Sequence, residues 1–521
     1  MPNFLPYDYN QSSMVVINYL DQLQPGTFEH AIHFLVTHKL DLSVYFSAYK
    51  NNDNGRPAYD PAILLKIILF AYSKGITSSR EIEWCCQTNI IFKALSCDTV
   101  PHYTTIANFV SSHTQAIEAL FEQILFTCDE QGLLGHELFA IDGCKMSSNA
   151  AKEVSGTFKE LEHKRDKIKK LIKHHINEHK QLDKDAPREE ARIKRAKQAT
   201  KTLTAAFDKI DKFLKTSSPR MGKGRIQKEV KSNITDNESA KMTTSKGTIQ
   251  GYNGVASVDK KHQIIIDAQA FGEGQEHHTL QPVLETIKDR YRRLGFSENI
   301  YHDDIIVTAD TGFANEANNQ YLHENNINAY IPDNKFRSRD PKFDHQKTKY
   351  GKRSDYKKIK PVRVIAARDF NFDPISKSCT CPSGESMWLK NEGIDKRGNY
   401  KVFFEGRLTK CRHCSLKHQC MTNPESADTR KGHGRQVSFI LEKKKAPNHT
   451  DWMKHRVDSH KGKLIYSHRM SVVEPVFGNI GSNKGLHRFS VRGKQKVQGQ
   501  WRLFCIVHNI EKLMNYGTMA A

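Results

Sequence analysis

A chain of 521 residues is too long for one hydrophobic core, so two or three domains are expected. With 38% hydrophobic and 26% charged residues it reads as a soluble globular protein, and no run approaches a membrane span. The formal charge of +22 points to a polyanionic partner, with nucleic acid foremost.

That charge is unevenly spread. Residues 151–230 hold 23 Lys/Arg against 12 Asp/Glu, and residues 461–521 hold 10 against 2. The first set suits a solvated helix face as well as a nucleic-acid contact. The second favours the contact, because Gly and aromatics accompany its cations instead of acids. The start, MPNFLPYDYNQSS, lacks a basic region followed by an apolar segment, so a cytoplasmic protein is expected. Its eleven cysteines should then be reduced, and clusters among them suggest metal before disulfide.

Residues 1–130 read as an all-helical domain. Asp60-Pro61 opens a helix, Ile63 to Phe70 make it apolar nearly all round, and Gly75 closes it. Ser78-x-x-Glu81 is a capping-box signature for the next helix, which carries Ile82 and Trp84. A further helix starts near Pro101 and runs through Leu125. Short helices with tight turns fit a helix-turn-helix DNA reader, and plain bundle packing has the same periodicity.

In HELFAIDGCKMSSNA, Leu138 to Ile141 form a short apolar strand that ends at Asp142, with Gly143 behind it. An acid at a buried strand end beside a Gly is a common way to present a metal ligand, and a turn-forming Asp looks the same in isolation. Residues 151–217 interrupt with a basic helical hairpin, turning at Asp185-Ala186-Pro187, and 217–227 read as a basic connection. From Thr248 two strands follow as a hairpin about Asp259–His262, then a helix, and then DIIVTADTGF, a strand ending in Asp310 with Gly312 close behind. Another helix and the strand NAYIPD complete the set. Strand, two-strand hairpin, helix, strand, helix, strand is the order of an α/β, RNase H-like core, expected over 136–334. That fold presents one carboxylate on its first strand and a second at the end of its fourth. Asp142 and Asp310 take those two slots.

Residues 335–445 read as a Cys-rich, zinc-ribbon-like insertion. Cys379 and Cys381 are followed about thirty residues on by Cys411, Cys414 and Cys420. Four of these five suit a structural Zn²⁺, with His413 or His418 as competitors for the fourth position, and ordinary reduced thiols are the alternative. Residues 446–521 return to the core as helices. Tyr466, Arg469 and Val473 sit at helical spacing, with Glu474 next. Glu474 is the one acid between Lys461 and Ile510, among Lys484, Arg488, Arg492, Lys494, Lys496 and other cations. A lone carboxylate in such a field suits a divalent metal, with the cations on phosphates.

Tyr466-x-x-Arg469, VEPVFG about Glu474 and RFSVRGKQKV resemble the C-terminal end of DDE transposases from bacterial insertion sequences. ADTGF about Asp310 and GRPAYDPAILLKIILFAYSKGITSSREIE are similar to other parts of the same insertion-sequence eleven-eighty-two-type group. Four residues separate Arg469 from Glu474 where three are commoner, and Lys484 follows Glu474 by ten positions where the general pattern has seven. The resemblance implies a catalytic triad of Asp142, Asp310 and Glu474 holding Mg²⁺ or Mn²⁺. It also implies DNA contacts from Tyr466, Arg469, Lys484, Arg488, Arg492, Lys494 and Lys496, and DNA recognition by the N-terminal helices. The expected activity is cleavage at element ends and transfer of the 3′-hydroxyl into a target. Its partners would be double-stranded DNA (inverted-repeat ends and target) and a second copy of the chain, with no membrane, and its place the bacterial cytoplasm at the nucleoid. A nuclease that only hydrolyses and a non-catalytic DNA-binding relic are the alternatives.

Overall fold

The computed structural model describes residues 16–49, 57–185, 190–222, 227–245, 247–301, 303–343, 364–395, 399–442 and 448–518. The expected turn at Ala186-Pro187 and the middle of the 217–227 connection lie outside these. The chain mixes helix and sheet and divides into two compact units, Met1–Phe336 with His449–Ala521, and Arg337–Asn448.

In the first unit, helices α1 (Phe28–Phe34), α2 (Pro61–Ser73), α3 (Ser79–Thr88), α4 (Ile90–Ser96), α5 (Tyr103–Ser112) and α6 (Thr114–Glu130) precede the sheet. Helix α2 begins where expected: the Asp60 side chain accepts the Ala62 N–H at 2.7 Å and Pro61 fills the first turn. Nine of its residues are buried, and Gly75 leaves it at a positive φ of 77°. The capping box expected at Ser78 is not made, since the Ser78 side chain caps no N–H of α3.

The sheet is built from β1 (Leu138–Ser147), β2 (Ala240–Thr244), β3 (Gly247–Asp259), β4 (Ile265–Phe271), β5 (Ile306–Ala309) and β6 (Ala329–Tyr330). Its order is β6–β5–β1–β3–β2, and β4 pairs with the far half of β3. Strand β1 is antiparallel to β3 and parallel to β5, and β6 is parallel to β5. Between β1 and β2 stands the hairpin of α7 (Phe158–Asp185) and α8 (Glu190–Thr216), with a small core of Leu161, Ile210 and Phe213. Helices α9 (Leu280–Leu294) and α10 (Glu316–Glu324) follow β4 and β5.

Beyond residue 448 come α11 (His449–Asp458), α12 (His460–Gly478) and α13 (Lys494–Tyr516). Helix α13 is the centre of the unit, with Trp501 and the run Leu503 to Ile510 buried. It also finishes the sheet. Gln498 bonds the Ala268 carbonyl and the Ala270 N–H, both at 2.6 Å, and Asn509 bonds both backbone groups of Ile265 at 2.8 and 2.9 Å. The edge of β4 thus has side-chain partners for backbone groups that would otherwise invite another strand. On its other side, α13 stacks Phe504 on Tyr72 of α2 (4.6 Å between centroids). Buried Arg290 of α9 adds ion pairs to Asp267 on β4 and Glu118 on α6, each at 2.5 Å. The N-terminal helices therefore share one core with the sheet.

The second unit is a five-stranded antiparallel sheet in sequential order: β7 (Asn371–Asp373), β8 (Ser378–Thr380), β9 (Ser386–Ile394), β10 (Tyr400–Glu405) and β11 (Gln436–Glu442). Its core is small: Phe370, Cys379, Met387, Val402, Phe404 and Val437. No helix among the described residues is long and apolar enough to cross a membrane.

Candidate metal centre

The last pair of the β1–β5 ladder is Ile141 with Ala309. Asp142 and Asp310 are the next residues on their strands, so both acids sit at the level where two parallel strands part. Asp142 is held on one side by the Gly143 N–H, which donates to Oδ1 at 2.8 Å, and on the other by Arg469, whose Nη2 lies 2.6 Å from Oδ2. Burial pushes the Asp142 carboxyl up to about 6; Arg469 and the Gly143 N–H oppose the shift, while Asp310 and Glu276 add to it.

Glu276 was not expected here from sequence. It opens a helical turn after β4 (Glu276–His278), and Asn253 Nδ2 donates to its Oε1 at 3.2 Å. Its own carboxyl is raised chiefly by burial, with Asp310 contributing in the same direction. The signal that pointed to it lies in two glycines. A Cβ on Gly143 would stand 3.1 Å from Glu276 Oε1, and one on Gly312 only 2.1 Å from Oε2. The close approach that Gly behind each aspartate permits is the approach of this third carboxylate.

Glu474 is placed otherwise. Arg469, Val472, Val473 and Val476 form the buried face of α12, and Glu474 is exposed. Five residues beyond Arg469 at about 100° each put it about 140° round the helix from the guanidinium that meets Asp142. The residue at the commoner three-residue spacing is Val473, which is fully buried. The extra residue after Arg469 thus turns the acid off the sheet. Pro475 behind it has no N–H for the Ser471 carbonyl, and Gln263 Nε2 donates there instead at 2.9 Å.

The cations expected on DNA fall into two groups. Arg469 is committed to Asp142. Lys484 is 2% exposed with its ammonium 2.8 Å from Glu511 of α13, so it is a buried tie and does not reach a phosphate as it stands. Tyr466 sets its ring edge on Phe336. Arg488, Arg492, Lys494 and Lys496 are exposed. Arg488 bonds the Ser148 carbonyl (3.2 Å) and Asn149 Oδ1 (2.9 Å), and Arg492 the Asn149 carbonyl (2.6 Å), which docks this loop against the end of β1. The Lys494 ammonium lies 5.8 Å from the centre of the Phe271 ring.

In the second unit a cavity of about 390 Å³ is lined by Cys381, Cys411, Cys414, Cys420 and His413, among others. Burial pushes the Cys411 and Cys420 thiols up, and each also feels the other thiols of this set. The Arg435 N–H is bonded to Cys411, and Gly406 and Gly434 leave room for its sulfur, where a Cβ would come within 2.7 and 3.2 Å. Cys379 stands apart from the cavity, in the core with its Sγ 3.8 Å from Met387 Sδ. Strand alternation explains this: Cys379 and Cys381 lie two apart, but Cys381 is already past the end of β8. Among the described residues, no group of three or more His, Cys, Asp or Glu side chains stands close enough together to hold a metal as it lies.

Two family models match the chain. Residues 380–514 match the transposase DDE domain, a span that takes in four of the five clustered cysteines and Glu474, and residues 18–112 match a transposase domain (DUF772). No curated protein and no solved structure gives a match. The two matches, one towards each end, make residues 18–112 and 380–514 similar to transposase domains and support a DDE transposase of an insertion sequence.

Proposed function

We propose that the chain binds the ends of its element and carries out metal-dependent cleavage and strand transfer on DNA, with Asp142 and Asp310 as the fixed acids of an RNase H-like core. The observation that carries this reading is the placement of both aspartates at the parting of β1 and β5, under a helix that the DDE-domain match covers. The donor set fits Mg²⁺ or Mn²⁺: hard carboxylate oxygens, half-buried and mutually repelling, whose repulsion a divalent cation relieves. Such an ion, when bound, lowers the pKa of an attacking water or 3′-hydroxyl and neutralises charge on the phosphate.

The protein's own part is to hold these oxygens. In the free protein Arg469 neutralises Asp142 and keeps a carboxylate with few partners in place. Glu474 is the third acid of this proposal, and it must come inward from the outer face of α12 when DNA is bound. The exposed cations Arg488, Arg492, Lys494 and Lys496 position the phosphate backbone, and the N-terminal helices read sequence. Two copies on paired ends would form the working assembly.

The second unit would hold Zn²⁺ on Cys381, Cys411, Cys414 and Cys420 in a structural role. Support comes from the shared cavity, the N–H bond to Cys411 and a core of six buried residues that needs a cross-link. The four thiolates must draw together to do so.

A strand-transfer assay with paired element ends tests the main reading. The full chain should join 3′ ends to target with Mg²⁺ or Mn²⁺ and lose this with Asp142→Asn or Asp310→Asn. Hydrolysis without joining would make it a nuclease, and DNA binding without either would make it a non-catalytic relic.

A further inference from the structure

We propose that Glu276 is a metal-ligating carboxylate of the Asp142–Asp310 centre, supplying in the free protein the third acid that Glu474 does not. This rests on the reading of the two aspartates as a divalent-cation centre and names the residue that completes it.

Three observations carry the inference. The first is position. The carboxylate of Glu276 lies between Gly143, next to Asp142, and Gly312, two residues after Asp310; its Oε1 and Oε2 are 3.1 and 2.1 Å from where the two missing Cβ atoms would stand. It therefore fills the space between the two aspartate-bearing segments, and no side chain at either glycine competes for it. The second is anchoring. The Glu276 carbonyl accepts Thr279 Oγ1 at 2.9 Å, and the His277 carbonyl accepts the side-chain amides of Asn315 and Asn318 at 3.1 and 3.0 Å. Asn318 Nδ2 also reaches the Phe313 carbonyl at 2.7 Å, so the turn bearing Glu276 is tied to the turn that follows Asp310. The backbone of this turn is fixed, so only side chains must draw together for Glu276 to join the two aspartates on an ion, since the three do not stand close enough to hold one as they lie.

The third observation points to the ligand itself. Asn253 is fully buried, gives Nδ2 to Glu276, and has no hydrogen-bond partner for Oδ1. That oxygen lies 2.8 Å from the Cβ position of Gly143, beside the carboxylates. Buried acceptors are nearly always satisfied. Three acids cannot donate to this one, whereas a water on a hydrated divalent cation can. An amide spanning Glu276 on one side and an open acceptor on the other suits a site that binds a cation with part of its water shell.

Manganese binding by the full chain, followed by electron paramagnetic resonance without DNA, tests the proposal. Wild type should bind Mn²⁺, and Glu276→Gln, which preserves the acceptor for Asn253, should weaken binding by at least about tenfold. Gly312→Ala, which pushes on the carboxylate and leaves every acid in place, should weaken it too, and reports on the site even if Glu276→Gln fails to fold. Asp142→Asn and Asp310→Asn should lose the same ion. If Glu276→Gln and Gly312→Ala bind normally while the aspartate variants do not, Glu276 is a structural residue only and the inference is overturned. If the aspartate variants bind normally as well, the underlying reading of the centre falls with it.

Discussion

The proposed carboxylate centre and the thiol cavity are two places where described residues bring metal-type donors into one neighbourhood, and they are assembled by opposite means. Asp142 and Asp310 are distant in sequence and sit at the level where β1 and β5 part, with Glu276 on the turn after β4, over a large core in which α13, Arg290 and the N-terminal helices hold the scaffold. Cys381, Cys411, Cys414 and Cys420 lie within forty residues of one another on turns and short helices around a core of six buried residues. Where the scaffold is made independently of the donors, losing a donor should change chemistry and leave the fold. Where the donors are most of the scaffold, losing one should undo the fold. The same unit of chemistry, a bound cation, would then be a reagent in one place and a cross-link in the other.

The largest expected effect tests the first half of that contrast. Asp310→Asn should lower strand transfer by about three orders of magnitude or more, because charge stabilisation at the reacting phosphate is lost. Its melting temperature should stay near that of wild type, since Asp310 holds no buried ion pair among the described residues. A melting temperature that fell with activity would mean that the centre is part of the scaffold after all.

The second half is tested by Cys411→Ser with Cys414→Ser. Elemental analysis should show one zinc per chain lost, and limited proteolysis should open 337–448 while the rest of the chain resists. Cys379→Ala should keep the zinc and cost about 1–2 kcal/mol as a small core cavity. Equal zinc loss from Cys379→Ala would return Cys379 to the ligand set.

Acid stability sharpens the contrast further, because the first unit should fail in acid through its core and not through its centre. His508 on α13 is fully used as a neutral ring: Nε2 donates to the Gln263 carbonyl at 2.9 Å and Nδ1 accepts from Asn479 Nδ2 at 3.0 Å. Burial lowers its pKa from 6.5 to about 4. A folded value below the unfolded one means stability that is complete above pH 6.5 and lost as pH falls from 6.5 to about 4. The loss approaches about 3 kcal/mol at the bottom of that window. His508→Gln should flatten the acid limb of the stability curve over the same range; an unchanged limb would place the titration elsewhere.

Both halves were legible in sequence to different depths, for a physical reason. Asp142 and Asp310 announce themselves locally, each following an apolar run with a glycine close behind, although β1 continues past Asp142 to Ser147 where the sequence suggested an end. Glu276 follows no strand directly and sits in GEGQEHH, where nothing local marks it; only the two glycines hinted that something had to pack against them. The outward phase of Glu474 was readable from its five-residue spacing to Arg469, but a lone acid among cations drew attention to charge and away from angle. The burial of Lys484 was not readable, since its partner Glu511 lies 27 residues on and reaches it only through the packing of α13. The thiols were found as a cluster, and which one drops out depended on where β8 ends.

The smallest expected effect separates cations that face solvent from those that hold the fold, and it needs DNA of any sequence. Replacing Arg488, Arg492, Lys494 and Lys496 together by neutral residues should weaken duplex binding and flatten its salt dependence. Every phosphate that the variant no longer neutralises lowers the slope of log K against log salt by roughly 0.9. Within the set, Lys494 and Lys496 should account for the slope without structural cost. Arg488 and Arg492 also bond the backbone after β1, so their removal should in addition loosen the loop. Lys484→Met should do the reverse, leaving the slope untouched while Glu511, stripped of its counter-charge, destabilises α13. A salt slope that changed with Lys484 would mean that the pair opens when DNA binds, and that the buried tie is itself a phosphate ligand held in reserve.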